Sequence, residues 1–211
     1  MATDPELVAC TPSPLNPDGF NPEVKLLYGL TTDAIFKAMN DFLDFLGFID
    51  LQLHSRGIIR LERMLMQANF SSLVGEFAKE AIPKYTPSIV KNQYHNGHPD
   101  LLPVGMFPGN AAQHVHEGIE VKASRHPTGW QGHNPEKIWL MVFIFDANSA
   151  ADERRGIAAK PFRFLEVLGA RLEESDWTFS GRSETSRRTI TASVNKSGYQ
   201  KMSANWIYRD R

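Results

Sequence analysis

A single cysteine, Cys10, stands in 211 residues, so no intramolecular disulfide can form and a reducing compartment suits the chain. Long apolar runs are missing as well: the longest, Ile138 to Phe145, is far too short to span a bilayer. Nothing resembles a signal peptide, so the expectation is a soluble, cytoplasmic protein with no membrane partner. Positive charge is not in excess either. The net charge is −1, which removes the global polycation signature of a nucleic-acid binder. No internal repeat is present. What remains is the length of one ordinary domain, enough to bury a sizeable core.

Charge is nevertheless uneven. From Trp177 to Arg211, seven Lys and Arg (Arg182, Arg187, Arg188, Lys196, Lys201, Arg209, Arg211) face only Glu184 and Asp210, a local +5. The other 176 residues therefore carry −6. An acidic body beside a basic wall is compatible with a metal pocket next to a polyanion.

Periodicity changes along the chain. Residues 1–22 hold Pro5, Pro12, Pro14, Pro17 and Pro22 with few large apolar groups, and read as an irregular arm. Residues 23–211 read as one domain. Ile35, Phe36, Met39, Phe42, Leu43 and Leu46 form a helical stripe, with Thr31 to Asp33 as caps and Gly47 as a stop. A second helix is expected over Ile58 to Gln67. A third carries Leu73, Val74, Phe77, Ala78, Ala81 and Ile82, opened by Ser71/Ser72 and closed by Pro83.

Strand character follows. Asp100 to Val104 is a short candidate, which Pro103 confines to an edge or a strand end. Gly118 to Ser124 is another. Ile138 to Phe145 is apolar on both faces and predicts a central strand covered on both sides. Two later strands are expected around Phe162 to Leu168 and Thr189 to Val194, and Ser197 to Tyr208 reads as a helix or an irregular basic segment. Helices first and a mixed sheet after them predict one α/β domain, a mixed central sheet flanked by helices.

The chemistry concentrates in Pro99-Asp100 and Gly118-Ile119-Glu120-Val121-Lys122. Alternation along a strand sends Glu120 and Lys122 to one side, and Ile119 and Val121 to the other. Asp100 supplies a second carboxylate if its strand pairs with this one. Two carboxylates can hold Mg²⁺, with the Val121 carbonyl as a further ligand, and a lysine beside them can position or deprotonate a water. A bare Glu-x-Lys pair is also common on surface hairpins.

This Asp…Glu-x-Lys arrangement resembles the PD-(D/E)XK nuclease superfamily, the fold of most type II restriction endonucleases. The resemblance covers about residues 70 to 146. It implies Mg²⁺-dependent hydrolysis of double-stranded DNA, with Asp100, Glu120 and Lys122 as the catalytic set and a homodimer to cut both strands. It also implies an acidic residue from the preceding helix, Glu76 or less favourably Glu80, and a glutamine after the catalytic strand, Gln131.

Several residues suit a DNA surface. Ser180 to Lys196 interleaves Arg182, Arg187, Arg188 and Lys196 with hydroxyl side chains, and Lys201 follows. Trp130 and His133, in a compact loop, either touch DNA or pack inward. Two other classes compete. His114-x-His116 with Glu120 has the spacing of a cupin metal motif for iron-dependent oxygen chemistry, echoed at Pro127-Thr128-Gly129 and His133-Asn134. A nuclease-like fold that binds DNA without cutting is the third.

Overall fold

The computed structural model of the chain describes residues 4–132, 134–180 and 191–210. The N-terminal segment is irregular apart from one short helix and a 3₁₀ turn, and it docks on the core. Asp4 caps a short helix, α1 (Pro5–Ala9), and Ala9, Cys10 and Leu15 are buried. The Ser13 N–H donates to the Phe162 carbonyl at 2.8 Å, and the Phe20 ring packs 5.0 Å from that of Tyr208. The prolines keep this segment out of long helices while its few apolar groups dock on the core.

Thr31 caps α2 (Thr32–His54), its hydroxyl accepting from the Ala34 N–H at 3.1 Å. The helix runs through Gly47 rather than stopping there. A Cβ at Gly47 would lie 3.1 Å from Pro12 Cδ, so the glycine serves close approach of the N-terminal segment. The helix expected over Ile58 to Gln67 shrinks to one turn, α3 (Leu61–Met64). Arg60 turns extended before it so that its side chain can enter a buried polar network, and Leu65 and Met66 are extended after it. The third stripe, α4 (Gln67–Ala81), begins four residues before Ser71 and ends where Ile82-Pro83 tightens into a 3₁₀ turn.

The strands are β1 (Ile89–Lys91), β2 (Leu101–Pro103), β3 (Ile119–Ser124), β4 (Gln131–Gly132), β5 (Ile138–Asp146), β6 (Arg163–Leu172), β7 (Trp177–Ser180) and β8 (Thr191–Val194). They are followed by α5 (Lys196–Ala204) and β9 (Trp206–Arg209), so the final segment is helix and then strand. One six-stranded sheet has the order β1-β2-β3-β5-β6-β9, and a small sheet has the order β4-β8-β7. β2 is internal, with Pro103 at its end paired to Ile89 of the edge strand. Only the β3–β5 pair is parallel; the other neighbours in the large sheet are antiparallel.

β5 is the spine. Trp139, Met141, Phe143 and Phe145 face the core under α2 and α4, whereas Ile138, Leu140, Val142 and Ile144 face a second core with Trp130, Trp177 and Met202. A strand covered on both faces needs an unbroken apolar run, and this one has it. The protein is a mixed α/β fold, and no helix among the described residues is long and apolar enough to cross a membrane.

Candidate active site

Leu101 of β2 pairs antiparallel with Ile119 of β3. That register sets the residue before Leu101 beside the residue after Ile119, so Asp100 meets Glu120. β2 extends no further along β3, so among the described residues the β3 edge beyond Ile119 has no strand partner on that side. α4 covers this edge instead: a Cβ at Gly75 would stand 3.8 Å from the Ala123 nitrogen.

Asp100 is held from two directions. Its Oδ2 accepts from the Val121 N–H at 2.9 Å, and its Oδ1 from Lys79 Nζ at 3.0 Å. A strand residue projects its N–H and C=O toward the same neighbour, so the Val121 carbonyl lies on the Asp100 edge. Glu120 points from the opposite face to Val121, and its Oε1 accepts from Lys122 Nζ at 3.0 Å. The alternation read from the sequence is therefore present, and the three groups converge.

The two acids titrate apart. Burial, and next the Glu120 charge, push the Asp100 carboxyl up to about 6 against the pull of Lys79 and the Val121 N–H. Burial also works to raise Glu120, but the His98 hydrogen bond and the Lys122 charge outweigh it and bring it down to about 2. Two crowded carboxylates of which one holds its proton until near pH 6 are a site where added positive charge is welcome.

A cleft of about 780 Å³ opens here, lined by Asp100, Glu120, Lys122, Glu76, Lys79 and Gln131 among others. Its remaining wall combines small and hydroxyl-bearing residues, including Ser71, Ser72, Ser124 and Thr128, with His126 and Trp130. No family model matches this chain, and no curated protein does. The reading of the cleft therefore rests on its own geometry.

Three residues in this cluster escaped the sequence reading. Lys79 joins Glu76, at 2.5 Å, to Asp100. The His98 imidazole sits between Glu120 Oε2 at 3.1 Å and Glu136 Oε2 at 3.4 Å. Burial disfavours the imidazolium, but Glu120, Glu136 and Asp100 raise its pKa above the ordinary value. His98 lies two residues before Asp100, but the chain bends at Pro99 and Asp100, so strand alternation gave no signal for it. Lys79 lies one helical turn beyond Glu76. Glu136 carries no local signal.

The expected companions divide. Glu76 lines the cleft, whereas Glu80 does not and pairs with Lys91. Gln131 lines the cleft from β4. Trp130 packs inward and also lines the cleft: its indole is largely buried, and Nε1 donates to the His126 carbonyl at 2.9 Å. Lys201 does not line the cleft, and its ammonium pairs at 2.5 Å with the buried Asp176 carboxylate. Lys196 is exposed at the start of α5 and does not line the cleft. Arg182, Arg187, Arg188 and His133 lie outside the described residues.

The cupin arrangement is not formed. His114 stacks on His98 with ring centroids 5.2 Å apart, and His116 Nδ1 bonds the Lys137 carbonyl at 3.1 Å. Among the described residues no group of three His, Cys, Asp or Glu side chains is placed to hold a metal, and the large sheet is open rather than a barrel. The donor set that does converge, two carboxylates and a carbonyl beside an open cleft, fits Mg²⁺. That ion takes one or two protein carboxylates and fills its remaining positions with water and substrate oxygens.

Proposed function

We propose that this chain is a Mg²⁺-dependent DNA endonuclease resembling the restriction-endonuclease-like superfamily. The observation that carries the reading is the meeting of Asp100, Glu120 and Lys122 where the β2 pairing with β3 ends, inside the larger cleft. The order of elements supports it too: a helix bearing Glu76, the strand after Asp100, the Glu-x-Lys strand, then β5 parallel to it.

Asp100, Glu120 and the Val121 carbonyl would hold the ion. Bound there, it would neutralise nonbridging phosphate oxygens and acidify a water. Lys122, with its ammonium already beside Glu120, orients the attacking water in line with the scissile bond. His98 holds Glu120 Oε2, so that Oε1 stays with Lys122. Lys79 restrains Asp100 and adds positive charge on the α4 side.

Double-stranded DNA is the proposed substrate, and cutting both strands calls for two copies related by a two-fold axis. Purified protein incubated with plasmid and phage DNAs should give discrete fragments with Mg²⁺ and none with EDTA. Failure to cut every substrate at any divalent concentration sinks the reading. DNA binding that persists without cutting in both wild type and Lys122→Ala would instead identify a binding module.

A further inference from the structure

A second groove, of about 570 Å³, adjoins the first cleft, and both are bounded by Glu76, Lys79 and Asp100. Asp100 thus stands between two channels rather than at the end of one. A strand held there would continue on both sides of the reacting phosphate.

The far wall of the second groove is the turn at residues 94–97, displayed by a buried asparagine. Asn92 Nδ2 donates to the Pro99 carbonyl at 2.9 Å and to the Ala112 carbonyl at 2.7 Å. Its Oδ1 accepts from the Tyr94 and Ala112 N–H groups, each at 3.0 Å. Its own N–H donates to the Asp100 carbonyl at 2.8 Å. Gly97 closes the turn in a space where a Cβ would come within 2.5 Å of the Ala112 carbonyl oxygen. The turn and Asp100 are therefore tied into one piece.

On that rigid turn Tyr94 is 43% exposed, lines the groove, and has no side-chain hydrogen bond or ring contact with any described residue. The surrounding charges nearly cancel, Lys79 and Lys91 against Glu76, Glu80 and Asp100. Field strength alone will not draw a polyanion into this groove, whereas stacking on an aromatic face needs no charge and tolerates any base.

We infer that the second groove binds the nucleotide next to the scissile phosphate, with its base unpaired and laid on the Tyr94 ring. The inference rests on the nuclease reading and narrows it. The substrate strand is single, overhanging, or opened from its duplex at that position.

The test uses an oligonucleotide that the wild type cleaves with Mg²⁺, carrying 2-aminopurine at successive positions, and Ca²⁺ to hold the complex uncut. One position beside the cut should lose fluorescence on binding. Tyr94→Phe should keep that quenching, and Tyr94→Ala should abolish it and weaken binding about ten-fold, the scale of one stacked base. Tyr94→Ala that folds, binds and quenches like the wild type overturns the inference while leaving the nuclease reading intact. A wild type that cleaves no DNA defeats the nuclease reading itself, and the inference falls with it.

Discussion

Among the described residues, the pairs Asp50/Glu62 and Asp100/Glu120 are neighbouring acids with shifted pKa values, and they differ in what surrounds them. At the end of α2, Arg60 donates to Glu6 and Asn148 at 3.0 and 2.8 Å, and also to Glu62 and to the Ala9 carbonyl. Asp50 Oδ1 accepts the Leu61 N–H at 2.7 Å. Burial, and then the Asp50 charge, push Glu62 up to about 7, and Asp50 is raised mainly by burial. Yet Asp50, Arg60 and Glu62 are each about 1% exposed and line no cleft. The network joins α1, α2, α3 and the loop at 148–160, so its chemistry is spent on holding segments together. Around Asp100 a comparable shift coincides with a cleft and with a β3 edge that no strand covers among the described residues. A displaced pKa reports burial and neighbouring charge; only access converts it into a site.

The contrast breaks first at Lys122. Lys122→Ala should lower cleavage about 10³-fold, within the range for loss of a general acid–base or water-orienting group, and leave Ca²⁺-supported DNA binding in place. A loss of binding equal to the loss of rate would make Lys122 a docking residue. Arg60→Ala should do the reverse. It should cost about 3–5 kcal/mol in urea unfolding by stranding buried carboxylates, while the rate per folded molecule stays within about two-fold. A selective loss of rate would mean that the sealed cluster reaches the site.

The pH dependences separate the clusters next. Glu62 has a folded pKa of about 7, above its ordinary 4.5. The stability it contributes is complete below 4.5 and is lost as pH rises through 7, at up to about 1.4 kcal/mol per pH unit. Glu62→Gln should flatten that slope between pH 5 and 8 in denaturant titrations. Asp100, raised from 3.8 to about 6, likewise favours the metal-free fold below 3.8 and loses that contribution as pH rises through 6. Metal binding runs the other way: Ca²⁺ affinity by calorimetry should fall about ten-fold per pH unit below 6, because the proton competes for the carboxylate. A flat affinity would make Asp100 as inert as Glu62.

The smallest effect should come from Glu80. Its ion pair with Lys91 is largely exposed, so Glu80→Ala should change stability by no more than about 1 kcal/mol and leave the cleavage rate unaltered. A slowed reaction would move the helical acid of the site from Glu76 to Glu80.

Much of this arrangement was legible in the residues, and the failures have physical causes. The doubly apolar run at Ile138 to Phe145 announced a central strand because a strand covered on both faces must be apolar on both, and the run is rich in aromatic and β-branched residues. The alternation of Ile119 and Val121 with Glu120 and Lys122 announced a strand with one polar side. Gly47 misled because a glycine can mark a close approach as well as a helix end. The start of α4 was misplaced because Ser71 and Ser72 look like caps, although Ser72 bonds back to Ala68 inside the helix. The partners of Trp130 and Lys201 were not legible because partner choice depends on what packs nearby. Trp130 found the second core, and Lys201 found the buried Asp176.

Local order along the chain was enough for the elements whose side chains repeat every two residues or every three to four, since that repetition alone separates an apolar face from a polar one. It was also enough to nominate an acid–amine pair two positions apart on β3. The distance from Asp100 to that pair, the intrusion of His98, Lys79 and Glu136, and the sealing of Asp50 and Glu62 followed from packing. These contacts join positions far apart in the chain, and their energies exist only once strand register and helix docking bring the groups within hydrogen-bonding reach.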